Sequence, residues 1–273
     1  MTKYILSVIL VLLGVLSCTK DVQIDLPQLP PQLVVDGNIE AGAHPLVLLS
    51  MSQPAADTVS LLTYLNSMVS DAQVTVVNGA DTFELSPTYI QQLPLESQKR
   101  VAEMLRVELE EVVLLPIQVY STPALYGVAN QTYELCIAHQ GKTFKGSTYL
   151  PNPCSLDSLY WKREPATIEY GFSWARLTDA YNSADAYRWE VRRIDRNEQG
   201  EDLDAIFRRA RGGIFSDEFF NGQTIEFYFQ NPLKRKDSTH LKTYRRYFRY
   251  GDSVVVKLSK MDPAVYLYYD RMD

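Results

Sequence analysis

The sequence predicts a mainly β protein: two antiparallel β-sandwich domains of immunoglobulin-like type, with one inserted amphipathic helix and a short C-terminal helix. Three observations carry that expectation. Short runs rich in valine, threonine and aromatic residues recur along the chain; turn signals such as Asn78-Gly79 and Gln140-Gly141 separate several of them; and helical three-and-four spacing is sustained in one long stretch only. Short strands at modest spacing favour antiparallel sandwiches over a parallel α/β sheet.

The first element is a leader. Lys3 precedes an apolar run from Ile5 to Leu16 that is too short to span a bilayer as a helix, and Val15-Leu16-Ser17-Cys18 resembles the bacterial lipobox, in which the cysteine is acylated after cleavage. Residues 1–17 are therefore read as a lipoprotein signal peptide, and Cys18 as the lipidated N-terminus, carrying palmitate-type acyl chains as its covalent lipid. Several chains on one cysteine anchor stably where a single chain is marginal. Residues 18–31, with three prolines, form the tether.

An N-terminal sandwich is placed at residues 32–152. Leu33-Val34-Val35 and Leu46-Val47-Leu48-Leu49 read as strands around a turn, and Ala72 to Val77 leads through Asn78-Gly79 into Thr82-Phe83-Glu84-Leu85 as a hairpin. The helical insertion covers 95–115, with Val101, Met104, Leu105, Leu109, Val112 and Val113 on one stripe. Glu96/Arg100, Lys99/Glu103 and Arg106/Glu110 stand four apart on the polar side, and Pro116 ends the run. Such a helix either packs its stripe on the sandwich or covers a binding edge. Residues 133–138 and 143–149 form the next hairpin.

Pro151 and Pro153 mark the domain boundary, and residues 153–273 form a C-terminal β-rich domain. Its series starts at Leu159-Tyr160-Trp161, with further strands expected at 167–175, 186–194, 223–229 and 252–259, the last presenting Val254, Val256 and Leu258 on one face. Asp262-Pro263 opens the final short helix.

Charge and motifs exclude several function classes. Formal net charge is −6, becoming −7 once the leader and its Lys3 are removed, which does not suit a nucleic-acid binder. His44, His139 and His240 lie about a hundred residues apart, so no local metal motif exists, and GxSxG, GxxxxGK[ST] and GxGxxG are absent. The chain reads as a non-enzyme without a cofactor or metal, although two of its 33 acidic residues, brought together by folding, could serve an envelope hydrolase. Export permits a disulfide between Cys136 and Cys154; the alternative is two buried thiols.

Binding chemistry concentrates in residues 188–250, which hold 14 basic and 10 acidic side chains against 9 and 19 in 19–187. Tyr244, Arg245, Arg246, Tyr247, Arg249 and Tyr250 interleave rings with guanidinium groups, downstream of Lys234-Arg235-Lys236. Rings stack on sugars and flat apolar faces while guanidinium forks pair with carboxylates or phosphates, so a glycan, a peptide or an acidic partner surface would fit. The plainer alternative is a strand with Tyr244, Arg246, Phe248 and Tyr250 on one side. Phe219-Phe220-Asn221-Gly222 and Gly212-Gly213 read as turns.

Several segments, in order, resemble the domain-of-unknown-function 4249 lipoproteins of Bacteroidetes-type bacteria: the lipobox with 22–26, LVVDGNI at 33–39, VSDAQVTV at 69–76, YELCIAHQGKTFKGSTYLP at 133–151 with Leu156-Asp157-Ser158, FSDEFFNGQ at 215–223 and GDSVVVKLSKMDPAVYLYYDRM at 251–272. Against that pattern, 95–115 looks inserted, and relatives would continue past Tyr268-Tyr269 with a glycine-rich segment, which implies a second domain either truncated or divergent at its C-terminus. The resemblance implies an outer-membrane lipoprotein accessory to a TonB-dependent transporter, anchored by its lipid, with Cys18-Thr19-Lys20-Asp21 resembling a tag for surface exposure. A structural or adhesive envelope protein is the alternative reading of the same features.

Overall fold

The computed structural model describes residues 30–54, 60–181, 183–233 and 244–271. Cys18, Lys234, Arg235, Lys236 and His240 lie outside these. The described residues contain fourteen strands, and every strand pair is antiparallel, so the chain is mainly β as its pattern predicts.

Seven strands form the first layer system: β1 (Leu33–Asn38), β2 (Leu46–Met51), β3 (Gln73–Asn78), β4 (Asp81–Tyr89), β5 (Gln118–Ser121), β6 (Gln131–His139) and β7 (Lys142–Leu150), in the order β1-β2-β5-β4-β3-β6-β7. β4 joins its two halves. Asp81 to Leu85 pairs with β3, while Ser86 to Tyr89 pairs with β5, so one strand changes partner between Leu85 and Ser86. Val74, Val76, Leu85, Tyr120, Tyr133 and Ile137 meet Val47 and Leu49 in the enclosed core. The first hairpin turns at Gly79-Ala80, one residue later than Asn78-Gly79, because Asn78 itself pairs with Asp81. The second turns at Gln140-Gly141 as expected, both with positive φ.

β2 explains its own apolar run. Val47 and Leu49 face the sandwich interior, whereas Leu46 and Leu48 face a second core built by the helices. A strand buried on both faces cannot alternate with polar residues.

The predicted 95–115 helix is interrupted. It comprises α2 (Leu95–Leu105) and the short α3 (Leu109–Val112), following a small α1 (Leu61–Asn66). Arg106 adopts φ 57°, and the Val107 N–H reaches back to the Ala102 carbonyl, closing α2. The break lets Val107, Leu109 and Val112 continue into the same core as Val101 and Ala102. The apolar stripe packs on β2 and β5, as the first alternative held. Its charged side does not form the three i,i+4 pairs: Lys99 bonds Glu96, and Arg100 donates to Asn38 and to the His44 carbonyl at 2.7 Å.

After β7 the chain builds two further sheets. β9 (Tyr170–Thr178) takes β8 (Ser158–Arg163) on one side and β12 (Thr224–Tyr228) and β13 (Phe248–Arg249) on the other; β10 (Ala186–Arg193) lies between β11 (Arg208–Ser216) and β14 (Val254–Met261). Trp189, Val191, Ala175 and Phe248 fill the core, with Val254, Val256 and Leu258 packed on it as β14's alternation predicts. α4 (Pro263–Asp270) follows, capped by Asp262, whose carboxylate accepts from the Ala264 N–H. β9 starts three residues later than expected, and β11 lies where no strand was foreseen.

Polar contacts join the halves. Glu40, two residues beyond β1, faces Lys257 at 3.0 Å, with Arg188 at 3.7 Å and Arg100 at 3.9 Å. Glu103 accepts from the Phe207 N–H, Arg208 pairs with Glu108, and Asp262 also accepts from the Tyr149 N–H at 2.7 Å. Ile206 from the second half is buried in the helical core of the first.

Candidate functional site

β9 presents alternate residues to two environments. Gly171, Ser173 and Ala175 face the core of Trp189 and Phe248; Tyr170, Phe172 and Trp174 face the other side of the sheet, where Tyr160 and Lys162 of β8 and Tyr228 of β12 stand beside them. Rings there touch in sequence. Tyr170 stacks on Tyr244 at 4.7 Å, Tyr244 meets Tyr247 at 5.7 Å, Tyr247 meets Phe172 at 4.5 Å, Phe172 meets Tyr228 at 4.3 Å, and Tyr228 meets Trp174 at 4.6 Å. The Lys162 ammonium lies 4.6 Å above the Trp174 ring. Tyr170 and Phe172 are buried beneath Tyr244 and Tyr247, while Tyr160 and Tyr228 are exposed, leaving an accessible aromatic strip with a cation at its edge.

The 244–250 segment is therefore divided among roles. Tyr244 and Tyr247 belong to the aromatic face, Arg246 lines an adjacent cleft, Arg249 pairs with Glu169 at 3.7 Å, Arg245 is exposed, and the exposed Tyr250 meets Trp161 edge-on. The alternating strand expected over the whole segment is absent; only Phe248–Arg249 is strand. Asn231 is the cause. Its backbone N–H bonds the Arg246 carbonyl and its side-chain amide the Tyr247 carbonyl, each at 2.9 Å, so those carbonyls serve a clasp instead of a ladder.

That clasp forms one wall of a cleft of about 340 Å³ lined by Arg209, Arg211, Gln230, Asn231 and Arg246. The opposite wall is a bulge. Between the pairs Arg188↔Ile214 and Glu190↔Arg209, β10 has one residue and β11 has four, so Ala210 to Gly213 loops out. Gly213 is required there, since a Cβ would lie 2.8 Å from the Ala210 carbonyl oxygen. The Gly212-Gly213 pair is thus a strand bulge and not a free turn.

A third cluster could suit a hard cation. One oxygen each of Asp179, Asp185 and Asp217 lies within 4.8 Å of the others. Donors already occupy it: Lys260 bonds Asp185, Tyr187 bonds Asp179, the Gly222 N–H reaches Asp179 and the Asp185 N–H reaches Asp217, both at 2.9 Å. Burial first, then Asp179, pushes the Tyr187 phenol far up, so it stays a donor. Phe220-Asn221-Gly222, read as a turn with an apolar anchor, closes beside this cluster, with Phe220 stacked on Tyr187.

Cys136 and Cys154 are free thiols in this structure, and the Cys136 thiol donates to Glu134 at 3.2 Å. Among the described residues no helix is long and apolar enough to cross a membrane.

Fold and site together define a mainly antiparallel β protein with an aromatic sheet face beside an arginine-lined cleft. The chain belongs to the family described as Domain of unknown function (DUF4249), which it matches over residues 19–273. No curated protein and no solved structure matches it.

Proposed function

We propose that this chain is an outer-membrane lipoprotein, held by acyl chains on Cys18 and exposed at the cell surface, whose β-rich body captures a ligand for a TonB-dependent uptake system and catalyses no reaction. The observation that carries the binding part is the aromatic strip of Tyr160, Trp174 and Tyr228 with Lys162 above Trp174. Rings held side by side on adjacent strands stack on the apolar faces of sugars at little entropic cost, because the strands fix them beforehand. The lipobox supports the anchor, and the family supports an envelope setting through the resemblance that identified it.

Two measurements test the reading. Cys18→Ala should move the protein from the membrane to the soluble fraction, and mass spectrometry should find an acylated Cys18 as the mature first residue; an unmodified start refutes the anchor. In affinity electrophoresis against neutral and acidic polysaccharides, wild-type protein should be retarded by at least one of them, and Trp174→Ala should weaken that binding about tenfold, equivalent to ~1.4 kcal/mol. Unretarded wild-type protein refutes glycan capture.

A further inference from the structure

The arginine-lined cleft asks for a ligand that the aromatic strip does not supply. Arg209, Arg211 and Arg246 line it together with Gln230 and Asn231, and no acidic residue is among the described residues lining it. Arg211 and Arg246 are exposed and have no carboxylate partner among the described residues, where Arg246 donates to Gln230 at 3.4 Å. Arg209 is steadied by the Tyr269 ring, 5.5 Å from its guanidinium carbon. Four other arginines of this half, Arg188, Arg192, Arg193 and Arg249, pair with Glu190, Asp202, Asp204 and Glu169, whereas Arg211 and Arg246 have no carboxylate partner among the described residues.

Its walls are also made, not incidental. A four-residue bulge interrupts the β10–β11 ladder to project Arg211, with Gly213 fitting where a Cβ would clash, and buried Asn231 holds the wall that carries Arg246 with two hydrogen bonds while its side-chain oxygen accepts from the Leu233 N–H. Gathering like charges costs free energy that a bound anion returns, and guanidinium forks match tetrahedral oxyanions in a two-point geometry. The cleft's volume sits at the small end of ligand sites, with room for the group and part of what bears it.

We propose that the cleft between the β11 bulge and the Asn231 clasp binds a doubly charged tetrahedral oxyanion, a phosphate or sulfate, as a free ion or as an ester on a small ligand. This goes beyond the glycan-capture reading and does not depend on the lipid anchor.

Isothermal titration of the full chain in detergent, at fixed ionic strength, should show saturable binding of inorganic phosphate or sulfate. The double variant Arg211→Ala/Arg246→Ala should bind at least tenfold more weakly with an unchanged thermal midpoint, since both side chains are exposed. Lysine at both positions should restore part of the affinity, and Trp174→Ala should bind phosphate like wild type, which separates this site from the aromatic strip. Tighter binding of glucose 6-phosphate than of phosphate assigns the anion to an ester; equal affinity assigns it to the free ion. Absence of saturable binding of either tetrahedral anion, undiminished binding by the alanine variant, or equal affinity for acetate overturns the proposal.

Discussion

Single residues in this protein are tuned by which half of the molecule they face. Burial opposes ionisation of Glu40, but Lys257, Arg100 and Arg188 outweigh it and hold its carboxyl below the ordinary 4.5. Stability from a depressed carboxyl is present above that value and is lost as pH falls through the folded-state value. Glu103 behaves oppositely: burial raises it above 4.5, beyond what the Phe207 N–H and Lys257 offset, so its contribution is fullest at low pH and is lost as pH rises. Glu40→Gln should therefore cost about 2 kcal/mol at pH 7, the worth of a hydrogen bond to a charged group, and flatten the acid limb of the stability profile. Glu103→Gln keeps the oxygen that Phe207 needs and should raise the midpoint at neutral pH; thermal melts from pH 3 to 8 read both. Arg106, left-handed at φ 57°, should tolerate glycine with a gain of about 0.5–1 kcal/mol in chemical denaturation, whereas Arg106→Val should lose stability.

At the scale of elements, legibility followed local chemistry. The hairpins at Gly79-Ala80 and Gln140-Gly141, the alternation of Val254, Val256 and Leu258, and the Asp262-Pro263 start of α4 depend on neighbours in sequence, and each was readable or nearly so. The break at Arg106 was not, because Val107 and Leu109 keep the apolar spacing of α2 and only the shared core decides where the axis turns. For the candidate site, the interleaved rings and guanidinium groups of 244–250 stood out by composition. Phe172, Trp174 and Tyr228 did not, since each sits in what reads as an ordinary strand; large rings at alternate positions of one strand were the available signal. β11 went unread because its bulge at Ala210 to Gly213 breaks the two-residue period that marks a strand. Gly213→Ala tests that bulge: the new Cβ meets the Ala210 and Trp189 carbonyl oxygens at 2.8 and 3.0 Å, so it should destabilise the chain by about 1–3 kcal/mol in urea.

At the scale of the whole molecule, α2 and α3 act as the connecting piece. α2 places its apolar stripe on β2 and β5, sends Glu103 to the Phe207 N–H, and shelters Ile206 of the second half, while Lys257 and Asp262 reach back to Glu40 and Tyr149. Tyr149, Lys257 and Asp262 come from two segments that carried the family resemblance, 133–151 and 251–272, which lie far apart in sequence and meet where the halves join. If these contacts make the halves one cooperative unit, wild-type protein should melt in a single calorimetric transition whose van't Hoff and calorimetric enthalpies agree. Removing two of them together, Glu40→Gln with Asp262→Ala, deletes hydrogen bonds to charged groups at both ends of the junction, about 1.5–3 kcal/mol each, and leaves both cores intact. The double variant should then show two transitions, and limited proteolysis should cut within 151–157, the strand-free stretch between β7 and β8, faster than in wild type. A single, uniformly lowered transition with unchanged cleavage would instead place the coupling in the apolar contact of Ile206 with α2, which Ile206→Ala would then break.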